Sequence, residues 1–162
     1  MKQVFWLIKD QLCGRPGPNH EPWQASELKA GGVDTVVSLN NAESVYPDDF
    51  LANGMAYRCI PLSTNAPPRE GDLELCQRQL LTAYQFVRDE IASGNTVLVH
   101  CRHGKDRTGL FMAYFLRNHL DMDTAEAISR VKAVRPIALT AAGWDQLAFE
   151  ILESCPDAGT TR

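Results

Sequence analysis

One stretch, residues 97–109 (VLVHCRHGKDRTG), constrains the fold more than any other part of the chain. Residues 97–100 have the pattern of a short buried strand, and the apolar residues that follow Arg107 predict a buried helix. The loop between them leaves backbone N–H groups without partners, next to the positive end of the helix dipole. The stretch therefore predicts an anion-binding loop at residues 101–107, which we call the signature loop.

The side chains at the two ends of the signature loop indicate what this anion site does. Cys101 begins the loop, and a thiol among N–H donors at a helix end has its pKa lowered well below the usual thiol value. Such a cysteine is a thiolate near neutral pH and therefore a nucleophile. Arg107 ends the loop, and its guanidinium can make a forked contact with two phosphate oxygens. The pair predicts covalent chemistry on a phosphate group.

Residues 100–109, HCRHGKDRTG, resemble the HCxxGxxR[ST]G signature of the cysteine-dependent protein tyrosine phosphatase superfamily, and most of all its small dual-specificity branch. The resemblance implies hydrolysis of phosphotyrosine, and of phosphoserine or phosphothreonine, through a phosphocysteine intermediate formed on Cys101. It also implies that Thr108 helps the thiolate to leave and that His100 orders the loop through hydrogen bonds. No cofactor is implied. The residues expected to bind the phosphate are Arg102, His103, Gly104, Lys105, Asp106, Arg107 and Thr108.

The proton donor for the leaving oxygen is where the sequence departs from this family. The family takes an Asp from the loop after the preceding strand, and aligning residues 67–68 with its Asp-x-x-Pro-Pro form puts Thr64 there. Thr64 has no acidic proton to give, so Asp72 is the first substitute for a general acid, with a helix cap as its alternative role. Asp106, inside the signature loop, is the next candidate, and Glu70 is a weaker one.

Strand patterns alternate with helix patterns along the chain, which predicts an α/β fold. We expect a central, mainly parallel sheet of four to five strands flanked by helices, like that of dual-specificity phosphatases. Residues 13–19 hold two prolines and two glycines and are predicted to form a shaped loop. Residues 1–155 are predicted to form a single domain and residues 156–162 a flexible tail. The other expected elements are strands at 5–8, 33–39 and 57–62, and helices at 22–30 and 47–52 and beginning near residues 72, 123 and 144.

Charge and composition limit the partners of the chain. The net charge of −4 argues against general binding of nucleic acid. No apolar run of about 18 residues occurs, which predicts no insertion into a membrane. Five cysteines without paired spacing predict free thiols in a reducing, cytoplasmic compartment. We expect no metal site, because the sequence has no second cluster of His and Cys that could supply ligands. The expected partner is a phosphorylated protein or a small phosphorylated substrate.

Three other functions stay open on the sequence alone. The basic signature loop, with Lys105 before Asp106, is also typical of a phosphoinositide or other phosphometabolite phosphatase. A sulfurtransferase holds a reactive cysteine in a similar loop, but usually lacks an arginine at the spacing of Arg107 followed by Thr-Gly. A non-catalytic phosphate-binding module is the third, because Thr64 replaces the acid. The family resemblance also makes Gln146 a candidate for orienting the attacking water, with a plain surface position as the alternative.

Overall fold

The computed structural model describes residues 1–156, so the predicted tail lies outside the described residues except for Pro156. In the described part, no helix is both long and apolar enough to span a membrane. The strands are β1 (Phe5–Ile8), β2 (Leu12–Pro16), β3 (Thr35–Ser38), β4 (Ala56–Cys59) and β5 (Val97–Cys101). The helices are α1 (Ala25–Ala30), α2 (Pro47–Ala52), α3 (Asp72–Ala92), α4 (Arg107–His119), α5 (Thr124–Val134) and α6 (Trp144–Glu153), with a 3₁₀-helix at Ala42–Ser44.

The five strands form one sheet in the order β1-β2-β5-β3-β4. Strand β1 runs antiparallel to β2, and every other neighbouring pair is parallel. This confirms the predicted α/β class with a mainly parallel sheet. Strand β5 is central, and its carboxyl end lies beside those of β2 and β3, with Pro16 opposite Cys101 and Ser38 opposite His100. Because ligands of such sheets bind beyond the carboxyl ends of the strands, the signature loop starts at the expected edge.

Helices cover both faces of the sheet. Leu98 of β5 packs with Leu28 and Phe50, from α1 and α2, in the smaller of two cores. Its neighbours Val97 and Val99 point to the opposite face, where α3 to α6 supply the larger core. Strand β5 is therefore buried along its whole length, as expected for a central strand covered on both faces.

Helix α4 is enclosed on all sides. Residues 108–117 are all buried, because α3, α5 and α6 pack around the helix and β5 lies beside it. A helix that is apolar around most of its circumference belongs in such a position. The first residues of α4, Arg107 and Thr108, are thereby tied to the centre of the domain.

Two predictions for the amino-terminal part were wrong. Residues 12–16 form β2, a parallel neighbour of β5, although the prolines and glycines predicted a loop. Pro16 stands at the last position of the strand, so its missing N–H interrupts the ladder only at the end. Gly14 packs closely inside the strand, because a Cβ there would come within 2.8 Å of the side-chain ends of Met112 and Phe5. The helix predicted at 22–30 is also shorter, since α1 begins only at Ala25.

Candidate active site

The signature loop joins the carboxyl end of β5 to the amino end of α4. Cys101 closes the strand, and its side chain is buried. The hydroxyl of Thr108, in the first turn of α4, donates a hydrogen bond to Sγ of Cys101 over 3.2 Å. A donor at this distance stabilises negative charge on the sulfur, both before it attacks and when it leaves.

The carbonyl groups of residues 102–105 accept hydrogen bonds from outside the signature loop. Because a trans peptide unit holds its C=O and N–H on opposite sides, the N–H groups of residues 103–106 face the other way, into the loop. These N–H groups have no hydrogen-bond acceptor among residues 1–156. Together with the helix end they form an anion site. The outer donors are Gly17 N to Arg102 O (3.0 Å), Arg135 Nη2 to His103 O (2.7 Å), Arg135 Nε to Gly104 O (3.1 Å) and Leu139 N to Lys105 O (3.3 Å).

The guanidinium of Arg107 is held from behind. Its Nε donates to the carbonyl oxygen of Ser63 over 2.8 Å, and its central carbon lies 4.6 Å from the centre of the Trp144 ring. Trp144 in turn donates from Nε1 to the carbonyl oxygen of Asn65 over 2.9 Å. The two terminal nitrogens of Arg107 have no hydrogen-bond partner in the described part of the chain. They therefore stay open for a forked contact with phosphate.

Gly104 lets the signature loop lie directly against β2. Its φ is +63°, and a Cβ would come within 2.7 Å of the carbonyl carbon of Arg15. Arg15 is itself buried: it donates to the carbonyl oxygens of Pro16 and Glu21, and its guanidinium lies 5.2 Å from the ring of Trp23. Burial lowers the pKa of Arg15, and the nearby charge of Glu21 opposes this effect. The end of β2 is thus a rigid wall behind the loop.

His100 links β5 to β3 and β4 through side-chain hydrogen bonds. Its Nδ1 lies 3.2 Å from the carbonyl oxygen of Cys101, so this nitrogen carries the proton and donates it. Its Nε2 then accepts from the hydroxyl of Ser38 over 2.6 Å, and Ser38 accepts from the hydroxyl of Tyr57 over 2.6 Å. Burial, more than any other cause, lowers the pKa of His100 to about 4. The ring is neutral at pH 7 and orients the strand end that carries Cys101.

The signature loop forms one side of an open cleft of about 500 Å³. The cleft brings together most of the predicted phosphate-binding residues and is cationic on this side. Residues that follow β3 and β4 supply most of the other lining residues, and we call this group the opposite wall. On the loop side the lining residues are Arg102, His103, Lys105, Asp106 and Arg107, with Ala141 beside them. The opposite wall consists of Asn40, Asn41, Glu43, Thr64 and Ala66.

Asp72 lies outside this cleft, whereas Thr64 lines it. The carboxylate of Asp72 accepts hydrogen bonds from the backbone N of Arg69 over 2.6 Å and from Nδ2 of Asn65 over 3.0 Å. These bonds, the one from Arg69 first, lower the pKa of Asp72 below its usual range. The side chain does not cap α3, and instead it secures the loop that precedes the helix. A carboxyl group with a lowered pKa and two bound donors is poorly suited to give up a proton near pH 7.

Asp106 lines the cleft, but its carboxylate is occupied. Oδ1 accepts from the backbone N of Ala141 over 3.1 Å, and Oδ2 lies 3.3 Å from Nζ of Lys105. These contacts tie the signature loop to the loop before α6. Glu70 is exposed and does not line the cleft. Gln146 also lies outside the cleft, where its Nε2 donates to a glutamate on the exposed side of α6.

Sequence reasoning missed three residues that the structure places at or behind the site: Arg15, Arg135 and Glu43. Arg135 donates two hydrogen bonds to the signature loop from the end of α5. Burial lowers the pKa of Arg135, while negative charge at Cys101 acts in the opposite direction. In the sequence, Arg15 lies in a run of turn-forming residues and Arg135 follows a mainly apolar run. Neither pattern indicates what the guanidinium binds. Glu43 gave no signal, because only the folded sheet brings it to the cleft.

The other cysteines differ from Cys101 in their surroundings. None of the five cysteines forms a disulfide. Burial raises the pKa of Cys13 to about 12, and it also raises the pKa of Cys76. Cys101 is likewise buried, but it has the hydroxyl of Thr108 as a donor to its sulfur.

Comparison with known proteins identifies a family for most of the chain. Residues 21–150 match the family described as dual specificity phosphatase, catalytic domain. The phosphatidylglycerophosphate phosphatase PTPMT1 of Arabidopsis thaliana is 28% identical over 128 residues, which cover 76% of this chain but only 36% of that protein. The tyrosine-protein phosphatase of Autographa californica nuclear polyhedrosis virus is 28% identical over 131 residues, which cover 79% of this chain and 75% of the viral protein.

A solved structure has the same fold. The crystal structure of Tk-PTP in its active form superposes with a TM-score of 0.75 at 21% identity, and the match covers 95% of this chain and 99% of that one.

Proposed function

The chain belongs to the dual specificity phosphatase catalytic-domain family, and we propose that it hydrolyses phosphate monoesters through a phosphocysteine intermediate. The proposed substrate groups are phosphotyrosine and also phosphoserine and phosphothreonine in proteins. One observation carries the proposal: the N–H groups of residues 103–106 face into the signature loop without acceptors, beside the sulfur of Cys101 and the open end of Arg107. This arrangement suits a tetrahedral phosphate dianion.

In the first step, the thiolate of Cys101 attacks phosphorus in line with the leaving oxygen. The S–P bond forms while the P–O bond breaks, and the leaving oxygen takes up a proton. The N–H groups of the loop and the guanidinium of Arg107 hold the three equatorial oxygens as their charge redistributes. Because hydrogen bonds from surrounding residues fix the loop, and a hydrogen bond to Ser63 fixes Arg107, these donors need little rearrangement during the reaction.

In the second step, water attacks the phosphocysteine and the thiolate leaves. The hydroxyl of Thr108 donates to Sγ over 3.2 Å and stabilises the sulfur as its negative charge returns. His100 and Arg135 act through the backbone, since each holds carbonyl groups of the site in place. We assign them positioning roles.

A phosphoinositide or another small phosphometabolite is the second candidate substrate. One relative is named a phosphatidylglycerophosphate phosphatase. The opposite wall is polar, with Asn40, Asn41 and Thr64 able to hydrogen bond to hydroxyl groups, and Arg102 and Lys105 add positive charge across the cleft. These features also suit a polyol phosphate.

We also propose a reducing, cytoplasmic location and a phosphorylated protein or small molecule as the partner. Five unpaired cysteines support the location. The net charge of −4 disfavours nucleic acid as a partner, because binding to nucleic acid favours a basic surface.

The test is phosphate release by the wild-type chain and by Cys101→Ser. The substrates are a phosphotyrosine peptide, a phosphoserine peptide and vesicles that contain a phosphoinositide. We expect the wild-type chain to release phosphate from the peptides. We expect Cys101→Ser to lose more than about 10⁴-fold of this activity, as is typical when a covalent nucleophile is removed.

Cys59→Ser is the matched control, because it removes an exposed thiol that does not line the described cleft and should keep full activity. Unchanged hydrolysis by Cys101→Ser would overturn the proposed chemistry. Release from the lipid vesicles alone would replace the protein substrate with the second candidate.

A further inference from the structure

We propose that Glu43 is the general acid of this site, the group that protonates the leaving oxygen. The inference rests on the proposed function, since it concerns the first step of the same reaction. It replaces Asp72 as the candidate, and it assigns a catalytic role to a residue outside the loop where sequence alignment looks for the acid.

Glu43 lines the same cleft as the signature loop. It belongs to the 3₁₀-helix Ala42–Ser44, which follows the carboxyl end of β3. Thr64 and Arg107 line this cleft as well. A phosphate held in the signature loop has its fourth substituent, the ester oxygen, directed away from the loop because the attack is in line. A proton donor is needed there.

The carboxyl group of Glu43 is oriented by a rigid neighbour. Nδ2 of Asn41 donates to Oε1 of Glu43 over 3.0 Å, and Asn41 is 3% exposed with a φ of +65°. The second oxygen, Oε2, has no hydrogen-bond partner among residues 1–156. One oxygen is therefore held and the other is free to carry a proton and donate it.

The segment that carries Glu43 is in register with the signature loop. The backbone N of Leu39 donates to the carbonyl oxygen of His100 over 2.9 Å, which fixes the end of β3 beside the end of β5. Gly17 lies between the two segments: a Cβ there would collide with Oδ1 of Asn41 and would come within 2.7 Å of the carbonyl oxygen of Cys101. The segment that carries Glu43 is therefore fixed in position relative to the strand that carries Cys101.

The competing carboxyl groups are less suitable. Glu43 and Asp106 are the carboxyl groups that line the described cleft. Both oxygens of Asp106 are occupied, one by the backbone N of Ala141 and one by Lys105. Asp72 lies outside the cleft and has a lowered pKa. Glu43 alone combines a position on the opposite wall with an unoccupied oxygen.

Glu43 accounts for the proton transfers of both steps. As the P–O bond breaks, its electron pair passes to the leaving oxygen, which takes the proton of the Glu43 carboxyl group. In the second step the resulting carboxylate accepts a proton from the attacking water, while the S–P bond breaks and the thiolate of Cys101 leaves. The acid is then protonated again and ready for the next cycle.

The experiment compares two substrates on the Glu43→Gln variant. A phosphotyrosine peptide has a basic leaving oxygen that needs a proton, whereas a nitro-substituted aryl phosphate has a leaving group that departs as an anion. We expect kcat/KM to fall about 100-fold or more on the peptide, and by less than a tenth of that factor on the nitroaryl phosphate.

The ratio of the two rates, measured on one sample, is independent of how much of the variant is folded. Asp49→Asn is the matched control, because it removes an exposed carboxylate close to Glu43 in sequence that does not line the cleft. Its ratio should equal that of the wild type. An unchanged ratio in Glu43→Gln, or a lowered ratio in Asp72→Asn or Asp106→Asn instead, would overturn the assignment while leaving the phosphocysteine mechanism standing. If the wild-type chain released phosphate from neither substrate, the proposed function and this inference would both fall.

Discussion

The two sides of the cleft are built on different principles. The signature loop is held through its backbone. Four of its carbonyl groups accept hydrogen bonds from surrounding residues, and its N–H groups face inward. The opposite wall presents side chains from two separate turns, after β3 and after β4. Binding of phosphate is therefore a property of backbone shape, whereas handling of the leaving group depends on a few exchangeable side chains. A change of substrate or of proton donor can occur on the opposite wall without disturbing the loop.

The contrast is sharpest at Gly104. Gly104→Ala must adopt a φ of +63° and bring its Cβ within 2.7 Å of the backbone of Arg15. We expect the free energy of unfolding to fall by about 3 to 4 kcal/mol, from left-handed strain together with displaced backbone. Urea denaturation measures this loss.

Gly54→Ala provides the control for strain alone. Its φ is +71°, and no heavy atom lies within 4 Å of the added Cβ. We expect a loss of about 1 kcal/mol there. Equal losses at the two positions would mean that the signature loop is not pressed against β2, and the comparison between the two sides would fail.

The support beneath the signature loop should also show itself in the pH dependence of stability. Folding lowers the pKa of His100 from 6.5 to about 4, so the unfolded chain binds a proton at this residue before the folded chain does. The contribution of His100 to the free energy of unfolding is therefore fully present above pH 6.5. It decreases as the pH falls toward 4, by about 3 kcal/mol in total. Urea denaturation between pH 7.5 and pH 4.5 tests this.

Replacement of the ring separates this effect from the titration of carboxyl groups. His100→Gln should be less stable at pH 7.5, but should lose the part of the pH dependence that His100 causes. His103→Gln, at the rim of the cleft, should keep most of it. An identical pH dependence in wild type and His100→Gln would show that the buried ring is not the cause.

The smallest effect is expected at Asp72. Asp72→Asn weakens the acceptor for Arg69 N and Asn65 Nδ2, so we expect a loss of about 1 kcal/mol at pH 7. Because folding lowers the pKa of Asp72, its contribution is present above the unfolded pKa and decreases as the pH falls. Phosphatase assays of the variant should give an unchanged ratio of rates on peptide and nitroaryl phosphate. A selective loss on the peptide would return the role of acid to Asp72.

The sequence was informative where function depends on local backbone geometry. Cys101, Gly104, Arg107 and Thr108 occupy positions in one short loop, so their spacing is preserved in the linear chain. The alternation of strands and helices likewise predicted the class of the sheet correctly. These features are local, or repeat at a fixed period, and can be recognised before the chain is folded.

The parts that could not be predicted depend on contacts between distant segments. Strand β2 was missed because Gly14 and Pro16 are unfavourable in a strand, and the pairing of β2 with β5 is not visible in the local sequence. Glu43 reaches the cleft because β3 and β5 are adjacent in the sheet, a pairing that no local pattern specifies. Arg15 and Arg135 become supports of the loop for the same reason.

The burial of α4 determines how the site loses activity on heating. The helix that carries Arg107 and Thr108 has no solvent-facing side along residues 108–117, so it has no local route by which to fray. Its amide protons should exchange with deuterium only when the entire core opens. Heat inactivation and global melting should then coincide, and partly damaged but catalytically competent intermediates should not accumulate.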